Sequence, residues 1–153
     1  EVSHAVISYP HVICMSCLFN SLGRLLGQSG STVRKRLVDY TSTHLNDQHQ
    51  GMTIREWIAW QGDGNNEHEN ISRYLQTMRS ASTWGGAMEL AMATRCYCVD
   101  ILVVNERREV VAEFLWREQC TARIRLILEW TGVHYEPLRR IDLVEVNRSM
   151  SAK

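Results

Sequence analysis

The sequence predicts an α+β domain in which the helices come first and a small, mainly antiparallel sheet comes last. Two observations support this fold class. Apolar residues recur three and four positions apart up to Arg95, and beyond it β-branched runs and period-two alternation replace that spacing. With 153 residues, the chain has the length of one domain and can bury a core without disulfides or a structural metal. We therefore expect a single domain over residues 1–153.

The first two helices are each defined by residues that share one helical face. These are Leu18, Leu22, Leu25 and Leu26 in the first helix, and Val33, Leu37, Tyr40 and His44 in the second. The glycines between Gly27 and Gly30 are expected to end the first helix. Ser31 or Thr32 is placed to cap the second.

Three further helices are predicted. Thr53–Trp60 is short, and its Thr53 and Glu56 have the spacing of a capping box. Gln61–Asn66 contains two glycines and two asparagines, so we expect an exposed loop there. A fourth, amphipathic helix is marked by Ile71, Tyr74, Leu75 and Met78. Gly85–Arg95 is apolar on almost every side, which places the fifth helix in the core.

The remaining elements read as strands. Val99–Val104 is an apolar, β-branched run typical of a central strand, and Glu109–Trp116 is expected to be its neighbour. Ala122–Trp130 alternates apolar and polar residues, as a half-buried antiparallel strand would. Thr131-Gly132 then turns the chain into a last short segment, Val133–Leu138. The strands are expected to form a meander.

Charge and composition exclude several classes of protein. Seventeen basic side chains balance seventeen acidic ones, which argues against a protein held to nucleic acid by bulk charge. A local patch of Arg107, Arg108, Arg139 and Arg140 is the weaker, opposite interpretation. No apolar run exceeds four residues, whereas a membrane span needs about 20, so we expect no membrane partner. The five cysteines are an odd number, which favours free thiols in a reducing, cytoplasmic compartment.

Cys17 is the strongest candidate for a nucleophile. It opens the first helix, where unpaired backbone N–H groups and the helix dipole favour a thiolate and could stabilise an oxyanion. Such a cysteine needs a base, and among six histidines only His134 directly follows a tight turn that could aim it. Glu136, two residues further along an extended segment, points to the same side and could accept the other ring N–H.

Three other interpretations of these residues remain open at this stage. A cysteine in an apolar segment is often an inert core residue, and a histidine before tyrosine is often structural. Cys14 and Cys17 could form half of a zinc site with Cys96 and Cys98 as the other half, although separated pairs are weak indications. A thioredoxin-type redox pair would require a parallel βαβ pattern, which the sequence does not show.

Three blocks of the sequence resemble the ovarian-tumour (OTU) family of cysteine deubiquitinases. Cys17-Leu18-Phe19 resembles the start of its nucleophile helix, and residues 84–90, Trp-Gly-Gly-Ala-Met-Glu-Leu, resemble its W-G-G-x-x-E-L segment. His134-Tyr135 resembles its terminal His-aromatic motif. The blocks occur in the family's order across residues 14–136, and the short chain is most similar to the OTU proteases of RNA-virus polyproteins. The resemblance implies a compact OTU-like protease fold with its motifs within residues 14–138. Residues 139–153 would then be a tail or edge element, dispensable for chemistry.

One position departs from the family pattern. The family has Asp three residues before the nucleophile, where this chain has Cys14. Some members instead place Asp or Asn two residues after the histidine, which is the position of Glu136. The resemblance therefore implies either a triad of Cys17, His134 and Glu136 or a dyad of Cys17 and His134.

The resemblance implies a function that fits the physics of the second block. Ubiquitin-like modifiers end in Gly-Gly, and a cleft that binds this tail must be too narrow for side chains. Gly85 and Gly86 would let the two backbones approach closely, and Trp84 and Tyr135 would line the cleft. We expect a monomeric isopeptidase, without metal or cofactor, that removes ubiquitin or a ubiquitin-like modifier from host or viral proteins. Its location would be the cytoplasm of a host cell, and it could also process its own polyprotein. The alternative is a catalytically impaired ubiquitin-binding module on the same fold.

Overall fold

The computed structural model describes residues 14–62, 66–116 and 124–143. The helices in this part of the chain are α1 (Cys17–Leu26), α2 (Gly30–Thr43), α3 (Ile54–Gln61), α4 (Glu67–Arg79) and α5 (Ala87–Tyr97). The strands are β1 (Gln48–His49), β2 (Met52–Thr53), β3 (Asp100–Val104), β4 (Val110–Phe114), β5 (Ile124–Trp130) and β6 (Tyr135–Asp142). Helices come first and the main sheet last, so the α+β prediction is confirmed. Within these ranges no helix is long and apolar enough to cross a bilayer.

Capping residues mark several of the helix ends. Helix α1 ends at Gly27, whose φ of 70° is the left-handed conformation that favours glycine. The cap expected at Ser31 or Thr32 is wrong, because Ser29 accepts a hydrogen bond from the Thr32 N–H and α2 begins two residues earlier. The capping box of Thr53 is confirmed at α3. Of the expected loop 61–66, residues 63–65 lie outside the described part of the chain.

A short hairpin was missed by the sequence analysis. Strands β1 and β2 pair through a two-residue turn in which Gln50 and Gly51 both have positive φ, at 50° and 84°. This is the backbone pattern of a tight hairpin turn. Only the glycine in Gln50-Gly51 marks it in the sequence, and two-residue strands leave no alternation to detect.

The main sheet has the strand order β4-β3-β5-β6. Strands β3 and β4 form an antiparallel hairpin, and β5 and β6 form another. The two hairpins meet through β3 and β5, which pair in parallel, so the expected meander is wrong and the sheet is mixed. Of the residues that the alternation places inside, Leu126 and Leu128 are buried, Ile124 and Trp130 are half-buried, and Ala122 lies outside the described part of the chain. The alternation carries no information on the direction of the neighbouring strand.

Strand β6 is longer than the segment expected from the sequence. It runs through Arg139 and Arg140 to Asp142, all paired with β5. The boundary expected after Leu138 therefore falls inside a strand, and residues 139–142 are an edge element of the sheet. Residues 144–153 lie outside the described part of the chain.

The core has two connected clusters. The larger one packs α1, α2 and α5 against β3 and β5, and its fully buried members include Leu18, Phe19, Leu22, Ile101, Leu126 and Leu128. The smaller one lies among α3, α4 and α5, around Ile54, Ile58, Ile71 and Met92. Because α1 lies in the larger cluster, its N-terminus is fixed relative to the sheet that carries β6.

Candidate active site

Cys17 is the first residue of α1. Its N–H donates to the Cys14 carbonyl at 3.2 Å, and the Asn20 N–H donates to the Ser16 carbonyl at 2.9 Å, so a tight turn leads into the helix. Cys17 is 3% exposed, while Leu18 and Phe19 behind it are fully buried. The apolar anchor of the helix thus holds the thiol at the surface of the core, next to the first-turn N–H groups.

The start of β6 is hydrogen-bonded to α1 through both backbone groups of one residue, Tyr135. The Tyr135 N–H donates to the Cys17 sulfur at 3.5 Å, and the Ser21 hydroxyl donates to the Tyr135 carbonyl at 3.0 Å. Cys17 and Ser21 are four residues apart, so they lie on the same face of the helix. Ser21 was not among the predicted site residues, although its spacing of four residues from Cys17 was a usable signal.

His134 is positioned by the turn that precedes β6. Gly132 takes a φ of 99° there, and the Thr131 hydroxyl accepts the His134 N–H at 3.2 Å. The Nε2 of His134 lies 2.9 Å from a carboxylate oxygen of Glu136. In a neutral imidazole whose Nε2–H donates to Glu136, Nδ1 carries the lone pair that can accept a proton.

These residues share one cavity of about 300 Å³. Its lining includes Cys14, Cys17, Asn20, His134, Tyr135 and Glu136. A thiol, an imidazole and a carboxylate therefore converge from α1 and β6, 117 residues apart in sequence between Cys17 and His134. Such a set can perform nucleophilic catalysis by a cysteine with a histidine base.

The segment Trp84–Gly86 reaches α1 by a different route. A Cβ added at Gly85 would lie 2.7 Å from Leu18 Cδ2 and 3.0 Å from the Phe19 ring, so the backbone packs directly on the nucleophile helix. At Gly86 the nearest atom to such a Cβ would be 4.0 Å away, and Trp84 is 38% exposed. Gly85 is thus required by internal packing, whereas Gly86 and Trp84 border open space.

Glu89 fixes the end of this segment. One of its carboxylate oxygens accepts the Gly86 N–H at 2.7 Å, and the other accepts the Tyr74 hydroxyl at 2.5 Å. Burial raises the pKa of the Glu89 carboxyl, although both of these donors oppose the shift. Burial also raises the pKa of Tyr74, and it raises that of Tyr135, where Cys17 and Glu89 add to the effect.

Cys14 faces the same cavity as Cys17. Its sulfur accepts a hydrogen bond from the Asn20 side-chain amide at 3.6 Å. The zinc interpretation gains no support, because no three His, Cys, Asp or Glu side chains in the described ranges converge as a metal site. Of the two thiols considered for the other half of that site, Cys98 is exposed, and Cys96 is half-buried in α5, where burial raises its pKa.

The arginines considered as a nucleic-acid patch are partly neutralised. Arg108 forms an ion pair with Glu129. Arg140 pairs with Asp142 at 3.1 Å and also donates to the Leu25 carbonyl at 3.2 Å. Two of the four arginines therefore have their charge compensated by a carboxylate of the same chain.

Comparison with known proteins finds ubiquitin thioesterases among the relatives of this chain. The chain is 25% identical over 131 residues to ubiquitin thioesterase OTU1 of Drosophila pseudoobscura pseudoobscura, an alignment that covers 80% of this chain and 31% of the relative. It therefore spans less than a third of that relative's length.

Solved structures share the fold. The OTUD1 OTU domain superimposes with a TM-score of 0.61 at 16% identity, over 88% of this chain and 84% of that one. The Hazara virus OTU bound to ubiquitin gives 0.53 at 21% identity, over 83% and 76%. The OTU-like cysteine protease model matches residues 16–136, which include Cys17, the Trp84–Gly86 segment and His134. This chain belongs to the family of OTU-like cysteine proteases.

Proposed function

We propose that this chain is a cysteine isopeptidase that removes ubiquitin, or a related modifier ending in Gly-Gly, from other proteins. The observation that carries the proposal is the convergence of Cys17, His134 and Glu136 on one cavity. Further support comes from the curated relatives, which are named ubiquitin thioesterases, and from a viral structural neighbour that is bound to ubiquitin.

In the proposed reaction, His134 accepts the proton of the Cys17 thiol through Nδ1, because Glu136 engages Nε2. The thiolate attacks the carbonyl carbon of the modifier's terminal glycine, and N–H groups at the start of α1 are donors for the resulting oxyanion. His134 then protonates the departing lysine amine. The acyl group stays on the Cys17 sulfur as a thioester. Water hydrolyses the thioester, releasing the modifier's carboxylate and restoring the thiol.

The deciding experiment uses a ubiquitin whose C-terminus carries a thiol-reactive electrophile. Wild-type protein should form a covalent adduct, and Cys17→Ala should form none. Cys14→Ala and Cys98→Ala are matched controls, since they remove a thiol inside and outside the cavity respectively. Labelling that survives Cys17→Ala but disappears in a folded Cys14→Ala variant would contradict the assignment of the nucleophile.

A binding module without chemistry is the second candidate. Cys14 favours it, because it occupies the position where the family pattern has Asp and cannot act as a carboxylate. This candidate predicts that the wild-type chain binds ubiquitin, measured by titration calorimetry, without forming an adduct with the electrophile. Isopeptidase activity predicts both binding and adduct formation.

The remaining parts of the proposal concern context. We propose in addition that the chain comes from a viral polyprotein and acts in the host cytoplasm on host or viral proteins. A viral OTU among the structural neighbours is the observation that suggests this source. Processing of the polyprotein at a Gly-rich junction uses the same acyl-transfer chemistry. Incubating the protein with a junction-spanning precursor and sequencing the new N-terminus tests this second activity. The molecular mass from scattering in solution tests the proposed monomeric state.

A further inference from the structure

Arg34 is a buried guanidinium that joins two loops. It belongs to α2 and is 4% exposed. One of its terminal nitrogens donates to the Met78 carbonyl at 3.0 Å, in the last turn of α4. The other donates to the Ser16 hydroxyl at 3.1 Å and to the Thr83 carbonyl at 2.8 Å. Ser16 directly precedes the nucleophile, and Thr83 directly precedes Trp84-Gly85-Gly86.

A second contact connects the same two regions. The guanidinium carbon of Arg34 lies 4.0 Å from the centre of the Phe19 ring, which is the stacking geometry of a cation–π interaction. Gly85 lies against the same ring, since an added Cβ there would be 3.0 Å from Cε2 and Cζ of Phe19. The Phe19 ring is therefore next to both Arg34 and the glycine segment.

The chemistry of this position is specific to arginine. Only a planar guanidinium presents several N–H donors in a fixed fork, so a lysine ammonium could not reach all three acceptors while stacking on Phe19. Burial lowers the pKa of Arg34, and the carboxylate of Glu89 and the thiol of Cys14 oppose that shift. Holding a charge here on neutral acceptors costs free energy, which a packed apolar side chain would avoid.

We propose that Arg34 is a positioning residue that sets the distance between the nucleophile loop at Ser16 and the glycine segment that begins after Thr83. The inference rests on the proposed function, since it concerns how a Gly-Gly tail guided by Trp84–Gly86 arrives at the Cys17 sulfur. A misplacement of about 1 Å between reacting groups can cost a hundredfold in rate. Arg34 therefore affects the alignment of the acyl carbon with the Cys17 thiol, although it touches neither of them.

The test compares Arg34→Lys with wild type on a fluorogenic ubiquitin substrate, and Cys17 alkylation by iodoacetamide is measured in parallel. We expect kcat to fall by about tenfold to a hundredfold, while KM and the alkylation rate stay within about threefold. The small reagent needs no channel, so it reports only whether the thiol is intact. Arg36→Lys is the matched control, because Arg36 lies on the same helix, is exposed and stacks on Tyr97 instead.

Ser16→Ala tests the same link while keeping the Arg34 guanidinium and its bonds to the Met78 and Thr83 carbonyls. It removes the acceptor on the nucleophile loop, and we expect kcat to fall by about threefold to tenfold. The Ser16 hydroxyl also donates to the Ala81 carbonyl at 3.2 Å, so the two residues share one contact while Ser16 makes a second one of its own. We therefore expect the double variant to lose less than the product of the two single losses. Ser82→Ala is the control, since the Ser82 hydroxyl bonds to the Ser80 hydroxyl within the same loop.

The outcomes separate the two hypotheses. Wild-type kcat in both Arg34→Lys and Ser16→Ala would overturn the inference and leave the proposed function intact. Equal losses in ubiquitin turnover and alkylation would also overturn it, because Arg34 would then only support the fold. If Arg34→Lys fails to fold, Ser16→Ala alone decides. A wild-type chain that alkylates normally but does not turn over ubiquitin would refute the proposed function, and this inference with it.

Discussion

The carboxylate of Glu136 bonds to the imidazole of His134 while its side chain stays 53% exposed. Water screens a charge in such a position, so it stabilises an imidazolium less than a buried carboxylate would. Glu136→Gln keeps the size and one acceptor but removes the charge. We expect kcat on a ubiquitin substrate to fall by roughly tenfold to a hundredfold, because a thiol ionises more readily than a serine hydroxyl and depends less on its base.

Two variants bracket that result. Cys17→Ala should abolish turnover, and His134→Ala should be nearly as damaging. A Glu136→Gln variant that works at the wild-type rate would make Glu136 a bystander and the site a dyad of Cys17 and His134.

At the scale of elements, α3 and α5 each have a glutamate as their third residue, but the two glutamates lie in opposite surroundings. At α3, hydrogen bonds from Thr53 hold the pKa of Glu56 below its usual value of 4.5. At α5, burial raises the pKa of Glu89 above the same value. The two carboxyls should therefore contribute to stability with opposite dependence on pH.

Urea unfolding at a series of pH values tests this pair. The folded protein binds the Glu89 proton more tightly than the unfolded chain, so the contribution of Glu89 is complete below pH 4.5 and is lost as the pH rises through the folded pKa. From pH 4.5 upward, wild type should lose free energy of unfolding relative to Glu89→Gln. Glu56→Gln should show the reverse, since the contribution of Glu56 is complete above pH 4.5 and is lost as the pH falls. Differences of the same sign in both variants would contradict these assignments.

The neighbouring glycines that lead into α5 should differ in their tolerance of a methyl group. At Gly85 a Cβ would lie 2.7 Å from Leu18, whose side chain is fully buried, so Gly85→Ala must displace the core. We expect it to lower the free energy of unfolding by about 1–3 kcal/mol, measured by chemical denaturation. Gly86→Ala is the matched control and should change stability by no more than about 0.5 kcal/mol. Equal effects at the two positions would show that the close packing of Gly85 on α1 has no energetic weight.

At the scale of the whole molecule, β6 closes the sheet and holds α1. Its residues Arg139–Asp142 pair with Ile124–Ile127, and Arg140 also donates to the Leu25 carbonyl at the end of α1. Truncation after Val146 keeps all of these contacts and should leave both stability and activity unchanged. Truncation after Leu138 removes them, and we expect a lower unfolding temperature together with loss of ubiquitin turnover.

Calorimetry and a turnover assay on the two truncated proteins make the measurement. Full activity after truncation at Leu138 would show that half of β6 is dispensable. Loss of activity after Val146, with the fold intact, would assign a role to the residues that follow it.

The sequence predicted most of the helices because each carries a local signal, such as the spacing of Leu18 and Leu22 or the capping box at Thr53. The geometry of His134 and Glu136 was also predictable, since side chains two apart on a strand share a face. The parallel pairing of β3 with β5 was not, because alternation reports burial and not the partner. Arg34 was missed because a charged residue is read as exposed, although it lies four positions before Val38 on the buried face of α2.

The pairing of α1 with the start of β6 also determines when the site can exist. The Cys17 sulfur and the Tyr135 N–H that donates to it are 118 positions apart, nearly the whole described chain. Contacts between residues so far apart in sequence form late in folding, because the entropy of closing a long loop is lost before the contact contributes. When the ribosome has made the chain as far as Trp130, Cys17 is present and His134 is not. Synthesis from the N-terminus therefore sets an order of assembly, in which Cys17 and His134 can line one cavity only after β6 has been made and has paired with β5.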